Sequence, residues 1–174
     1  MKVILSAGHS PRKSGAFALG TKEHTLNSMV VDRVREYLKA QGVDVEVLDP
    51  MSSLEERVKF LQSLEVGTFV AIEFHHNVFN GKARGSEVFY KAGDKRAFDL
   101  GSTLLTKVCE RLGLKNRGMK LASASARGSL AWVKTQGCLL WEVCFMDNTE
   151  DKLLVGTYET FAKTLGDTLM ENPR

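Results

Sequence analysis

The sequence predicts an α/β fold: a single-domain sandwich with a mostly parallel or mixed central sheet flanked by helices. Two observations carry this. Short apolar runs of strand length alternate with longer segments whose apolar residues recur every three or four positions. The resulting order, β-α-β-α-β-β-α-β-α, is one that packs helices around a sheet. The 174 residues, 43% hydrophobic and 26% charged, suit one globular core and exclude disordered and fibrous classes. The domain is read as spanning 1–174.

Val3 to Ser6 is apolar and stops at Ala7-Gly8-His9-Ser10-Pro11, so a buried first strand opens into a loop running to about Thr21. From Glu23, the residues Leu26, Val30, Val34 and Leu38 recur every fourth position until Gly42, which marks an amphipathic helix ended by a glycine. Val43 to Val47 alternates apolar and acidic residues, the pattern of a strand with one wet face at a sheet edge. Ser52-x-x-Glu55 and Ser53-x-x-Glu56 are overlapping capping boxes ahead of Val58, Leu61 and Leu64, a second helix. Thr68 to Phe74 is a strand reaching His75-His76-Asn77, and Ser86 to Lys91 is another. A third helix carries Phe98, Leu104, Leu105, Val108 and Leu112. Cys138 to Phe145 is the last strong strand, and Leu154, Tyr158, Phe161, Leu165 and Leu169 form one closing helix. The segment 118–137, small and polar around Ser123 to Ser129, reads as a short strand and a loop beside a site.

Composition narrows the function. Lys and Arg number 24 against 21 Asp and Glu, a net charge of +3, and without a basic cluster nucleic acid is not an expected partner. Apolar stretches such as Gly137 to Trp141 fall far short of the ~18 to 20 residues that cross a bilayer, so no membrane is expected either. The first apolar run is also too short for a secretory signal, and the chain is expected to be made in the cytoplasm. Cys109, Cys138 and Cys144 lack a Cys-x-x-Cys spacing and are read as core thiols rather than a disulfide framework or zinc knuckle.

The four histidines fall at His9, His24 and His75-His76, each at a strand end or a helix start, where sites in open α/β sheets collect. Strand alternation puts Glu73 and His75 on one face and His76 on the other, behind Val70, Ile72 and Phe74. The Glu73 and His75 face is therefore the one expected to meet a site, with Glu73 either partnering a Lys or Arg or supporting a ligand. Glu23 and His24 point about 100° apart on their helix, and periodicity leaves open which of them faces the site. Glu142, inside the apolar run Cys138 to Phe145, is a buried carboxylate that needs a cation or metal nearby. A salt bridge to Arg117 would also satisfy it. The serines at 123, 125 and 129 lack the setting of a nucleophile elbow.

Taken together, Ala7-Gly8-His9-Ser10, Glu23 with Asn27, Phe74-His75-His76-Asn77, Arg84-Gly85-Ser86-Glu87-Val88-Phe89-Tyr90, Asn116-Arg117-Gly118-Met119-Lys120 and Leu140 to Asn148 resemble, in order, the zinc-dependent N-acetylmuramoyl-L-alanine amidases of the type 3 group. These include phage endolysins and bacterial cell-wall enzymes. The resemblance implies a Zn2+ held by His9, Glu23 and His75, with Glu142 as the catalytic carboxylate, and peptidoglycan as the substrate. A set of two histidines and one glutamate favours zinc over magnesium or calcium. The bond cut would join the lactyl group of N-acetylmuramic acid to L-alanine. Asn77, Arg117 and Arg127 are candidate substrate contacts, since a guanidinium suits the carboxylates of the stem peptide. The chain departs from the family pattern at Glu73 and His76, which keeps His76 a lesser candidate for the ligand. The expected role is a phage lysin acting on the cell wall. The competing readings are a non-catalytic peptidoglycan-binding module and a zinc peptidase of the stem peptide.

Overall fold

A computed structural model describes residues 1–125, 128 and 130–172. Its elements are β1 (Lys2–Ala7), the two-residue strands β2 (Phe17–Ala18) and β3 (Thr21–Lys22), α1 (Glu23–Ala40), β4 (Val45–Val47), α2 (Leu54–Gln62), β5 (Phe69–Asn77), β6 (Ser86–Tyr90), α3 (Lys95–Leu112), β7 (Asn116–Leu121), β8 (Cys138–Phe145), α4 (Thr149–Val155) and α5 (Glu159–Glu171). Among the described residues, six strands form one sheet in the order β4-β1-β5-β8-β6-β7, and β2 and β3 pair as a separate hairpin. Neighbours in the large sheet run parallel except β6 and β8. The sheet is mostly parallel, as expected. No helix among the described residues is long and apolar enough to cross a membrane.

Both sheet faces are covered. On one face, Val30, Val34, Leu104, Leu105, Phe161 and Leu165 from α1, α3 and α5 pack on Leu5, Ile72, Phe74 and Trp141. The other face carries Leu61 of α2 and Trp132 against Ile4, Phe69, Ala71 and Leu140. Side chains of this kind each contribute roughly 1.5–3 kcal/mol on leaving water. The three cysteines are buried, and burial pushes the thiols of Cys109 and Cys138 up to about 12. They are core residues.

The helix starts are held in different ways. At α2 the capping box forms as read: the Ser53 hydroxyl accepts from the Glu56 amide at 3.2 Å, and the Ser53 amide donates to the Glu56 carboxylate at 2.7 Å. At α1 no side chain caps the helix; the amides of Glu23 and His24 donate to the carbonyls of Ala16 and Ser14 at 2.8 and 3.0 Å. The preceding loop is thereby fastened to the helix start.

One expectation is corrected. The closing helix is two helices, α4 and α5, divided at Gly156 to Tyr158, where Gly156 and Tyr158 both take positive φ. The apolar stripe continues across the break because both sides pack into the same core. Half-buried β7 is the short strand expected in segment 118–137, and it begins two residues earlier. Strand β5 runs through both histidines to Asn77, as the assignment of His75 and His76 to opposite strand faces required.

Candidate metal centre

Strands β1, β5 and β8 are adjacent, and their carboxyl ends share one edge of the sheet. His9 follows β1 by two residues in a left-handed conformation, φ 65°, a strain of order 1–3 kcal/mol for a non-glycine residue. Glu23 opens α1, where the helix dipole favours a negative charge. His75 lies near the end of β5. His9 Nε2 lies 2.9 Å from Glu23 Oε2, His75 Nδ1 lies 3.0 Å from Glu23 Oε1, and the three groups offer ligand atoms within 4.8 Å of one another. The structure thus brings the three sequence candidates together and turns Glu23, not His24, into the cluster.

Two glycines make this closeness possible. A Cβ at Gly8 would intrude on the His75 ring, and one at Gly15 would collide with Glu23 Oε2 and the His9 imidazole. Gly15 also holds φ at 74°. The Gly8 carbonyl accepts from His24 Nδ1 at 2.9 Å and Asn27 Nδ2 at 3.0 Å, so α1 grips the turn before His9.

Behind His75 the ring nitrogen Nε2 meets Glu73 Oε1 at 3.0 Å. Glu73 sits beside Ser6 in the β1–β5 register, and the Ser6 hydroxyl donates to its Oε2 at 3.3 Å. Arg57 Nη1, on α2, donates to Ser6 Oγ at 2.6 Å, to the Ala7 carbonyl at 3.0 Å and to Glu73 Oε2 at 3.3 Å. Both expected roles of Glu73, partner to an arginine and contact to a candidate ligand, are present at once.

Electrostatics supply a test of fit for a metal. Burial works against the charge on Glu23 and on Glu73, yet hydrogen bonds to the histidines, with Arg57 beside Glu73, hold both below the usual carboxylate range. Burial also opposes a charge on His75, but the hydrogen bonds to Glu23 and Glu73 and the charges of Glu73 and Glu142 push it up to about 10. The carboxylates around His75 favour a positive charge at its imidazole. A proton on His75 supplies it, and a divalent cation among His9, Glu23 and His75 would supply it in place of that proton. The donor set fits such an ion.

Glu142 faces His75 in the β5–β8 register and is half-buried. Just beyond, three steps of β8, Glu142 to Phe145, span two steps of β5, His75 to Asn77, a β-bulge at the cluster. The Ser86 hydroxyl accepts from the Trp141 indole at 2.7 Å and donates to the Glu142 carbonyl at 3.1 Å, which pins the backbone there. On the far side, Glu87 pairs with Glu142 across β6–β8. It accepts from Asn77 Nδ2 at 3.1 Å, and from Arg117 Nε and Lys120 Nζ at 2.7 Å each. The salt bridge of Arg117 goes to Glu87, and its guanidinium lies 5.0 Å over Phe145. Asn77 and Arg117 therefore meet at one carboxylate near Glu142; Arg127 lies outside the described residues.

His76 turns through the other face of the sheet. Its Nδ1 lies 2.8 Å from Asn27 Oδ1 and its Nε2 3.0 Å from the Tyr158 hydroxyl. Sequence reasoning missed Gly15, Arg57, Glu87, Lys120 and the polar use of Tyr158. Only Glu87 carried a signal, as a charge inside a β-rich run.

A family model described as N-acetylmuramoyl-L-alanine amidase matches residues 3–167. The chain belongs to that amidase family. Among curated proteins it is similar to the uncharacterized protein YqiI of Bacillus subtilis (strain 168), 28% identical over 123 residues, covering 68% of this chain and 59% of that one. Among solved structures it resembles Cwp6 from Clostridium difficile, with a TM-score of 0.82 and 25% identity over 99% of this chain and 29% of that one. The catalytic domain of CwlV, an amidase from Bacillus (Paenibacillus) polymyxa var. colistinus, gives a TM-score of 0.80 at 23% identity, covering 99% and 98%. This family member therefore spans less than two thirds of YqiI and of Cwp6.

Proposed function

We propose that residues 1–174 form one catalytic domain that hydrolyses the amide between the lactyl group of N-acetylmuramic acid and L-alanine in peptidoglycan. His9, Glu23 and His75 would hold a zinc ion, and Glu142 would move the proton. Membership of the amidase family supports the substrate class. The single observation that carries the mechanism is the His9, Glu23 and His75 cluster with Glu142 opposite His75 on the neighbouring strand.

Zinc bound there supplies Lewis acidity to the scissile carbonyl and lets a water lose its proton near neutral pH. Glu142, on the strand beside His75, takes that proton as the water oxygen adds to the lactyl carbonyl carbon. It then gives the proton to the departing alanine nitrogen as the C–N bond breaks. The products are a lactyl carboxylate and a peptide with a free L-alanine amine. Arg117 and Lys120 keep a partly exposed cationic surface on Glu87, the register neighbour of Glu142, fit for a carboxylate of the stem peptide, and Asn77, two residues after His75, donates to the same Glu87. Arg127 is assigned to the same substrate role on sequence grounds. The finer role we propose is that of a lysin, acting on the cell wall.

The test is incubation of the protein with purified peptidoglycan, with and without a chelator and alongside Glu142→Ala, followed by mass spectrometry of soluble products. Stem peptides beginning with free L-alanine, lost with the chelator and in the variant, are the expected result. Fragments cut within the stem peptide would make the chain a peptidase, and bound but uncut peptidoglycan a binding module. Clearing of permeabilised cells by added protein tests the lysin role separately.

A further inference from the structure

We propose that Glu73 is a positioning residue for the metal: clamped by Arg57 and Ser6, it holds the Nε2–H of His75 so that Nδ1 faces the ion as an unprotonated donor. The inference deepens the metal reading above and rests on it.

The two carboxylate oxygens of Glu73 do different work. Oε2 takes the contacts from Arg57 Nη1 and Ser6 Oγ, which come from α2 and β1, so the carboxylate is fixed from two elements. Oε1 is left to His75 Nε2 at 3.0 Å. An ion pair serving only to neutralise Arg57 would not need the second oxygen to reach an imidazole. The ring nitrogens divide in the same way: Nδ1 faces the candidate ligand Glu23, and Nε2 faces the buried carboxylate away from it. Without a metal both ring nitrogens meet carboxylates; an ion held by Glu23 would take the place of the Nδ1 proton, while Glu73, fixed by Arg57 and Ser6, keeps the proton on Nε2 and leaves the Nδ1 lone pair to the ion.

Packing restricts the ring further. A Cβ at Gly8 would collide with Nε2, Cε1 and Cδ2 of His75, so the missing side chain of Gly8 makes the room that this edge of the ring occupies. The pair is also dry: the Arg57 and Glu73 side chains are 6% and 5% exposed, so the charge that orients His75 is little screened by solvent. A carboxylate behind a metal-bound histidine raises the basicity of the ligand and fixes its tautomer, and losing such a partner weakens metal binding about 10- to 100-fold.

The test is titration of metal-free protein with zinc in competition with a chromophoric chelator, for the wild-type chain and Glu73→Gln. Nitrogen-15 NMR of the His75 ring in the zinc-loaded forms accompanies it. The expected result is an affinity about 10- to 100-fold lower in Glu73→Gln, with a wild-type spectrum showing Nδ1 on the metal and a proton on Nε2. Equal affinities, with only the urea midpoint of Glu73→Gln lowered, would reduce Glu73 to a partner for Arg57 and overturn the proposal. So would a spectrum with Nε2 on the metal. Should Glu73→Gln fail to fold, the double variant Glu73→Gln/Arg57→Met removes both buried charges, and an affinity equal to wild type in that chain also overturns it. A wild-type chain that binds no zinc overturns the metal reading itself, a result distinct from equal binding by both chains.

Discussion

Glu87 and Glu142 stand directly opposite each other across the antiparallel β6–β8 pair. Like charges in that relationship repel. At Glu87 the cost is offset by Arg117 and Lys120, each 2.7 Å from its carboxylate. Burial works against the charge of Glu87, and these two cations outweigh it and hold Glu87 below the usual carboxylate range. Replacing both, as Arg117→Gln with Lys120→Met, leaves an uncompensated carboxylate facing Glu142 and makes Glu142 harder to ionise. The acidic limb of the pH–activity profile is expected to move upward by about one unit. A double variant whose limb stays in place would mean that the two cations do not act on Glu142.

Gly15→Ala is expected to weaken zinc binding at least tenfold in the same chelator competition. The added methyl group collides with Glu23 and His9, and alanine at φ 74° adds strain of about 1 kcal/mol. Gly8→Ala is expected to do the same through His75. Gly20→Ala is the control: it shares the positive φ, and nothing stands within 4 Å of its Cβ position, so it should lose stability without losing zinc.

Without metal, stability is expected to peak near pH 6.5. Burial pushes His76 down to about 3, so between there and its unfolded value near 6.5 the unfolded chain binds the extra proton, and stability falls as pH falls. His75, pushed up to about 10, contributes stability below about 6.5 that is lost as pH rises towards 10. Urea midpoints measured in chelator from pH 5 to 9 read both limbs, and His76→Gln should flatten the lower one. Each limb is bounded by about 1.4 kcal/mol per pH unit.

Asp151 is fully buried in α4 and accepts from the Gly85 amide at 2.7 Å, the Phe145 amide at 3.1 Å and Arg84 Nε at 3.4 Å. It ties the entry of β6 to the end of β8. Asp151→Asn replaces one acceptor by an amide donor and is expected to cost about 1–3 kcal/mol in the urea midpoint. Unchanged stability would show that the amide satisfies the same donors.

Much of this architecture was legible because local chemistry and global packing agree. Ser53 and Glu56 announce α2, and the fourfold recurrence from Leu26 to Leu38 announces α1. The hairpin Phe17–Lys22 was not legible, since two-residue strands have no period. Strand β7 reads Asn-Arg-Gly-Met-Lys-Leu and has no fully buried residue, so a short strand was legible in this segment but alternation did not fix where it begins. The break before α5 was hidden because Tyr158 occupies a core position in either geometry. At the metal cluster, strand parity singled out the face of His75, whereas the choice of Glu23 depended on a loop folding back onto the start of α1. Arg57 and Glu73 lie 16 positions apart on different elements, a separation at which sequence spacing does not reveal pairing.

The hydrogen bonds around His76 have a direction. Asn27 gives its amide hydrogen to the Gly8 carbonyl, which leaves its oxygen for His76 Nδ1–H, which leaves Nε2 to accept from Tyr158. Each member therefore dictates how the next is oriented, like a row of arrows laid head to tail. The last arrow starts at the mouth of α5, and the first ends on the turn that presents His9. A ring flip of His76 or a rotated Asn27 amide would break two bonds at once, so α5 and the loop that carries His9 keep their relative alignment through the polarity of one buried row.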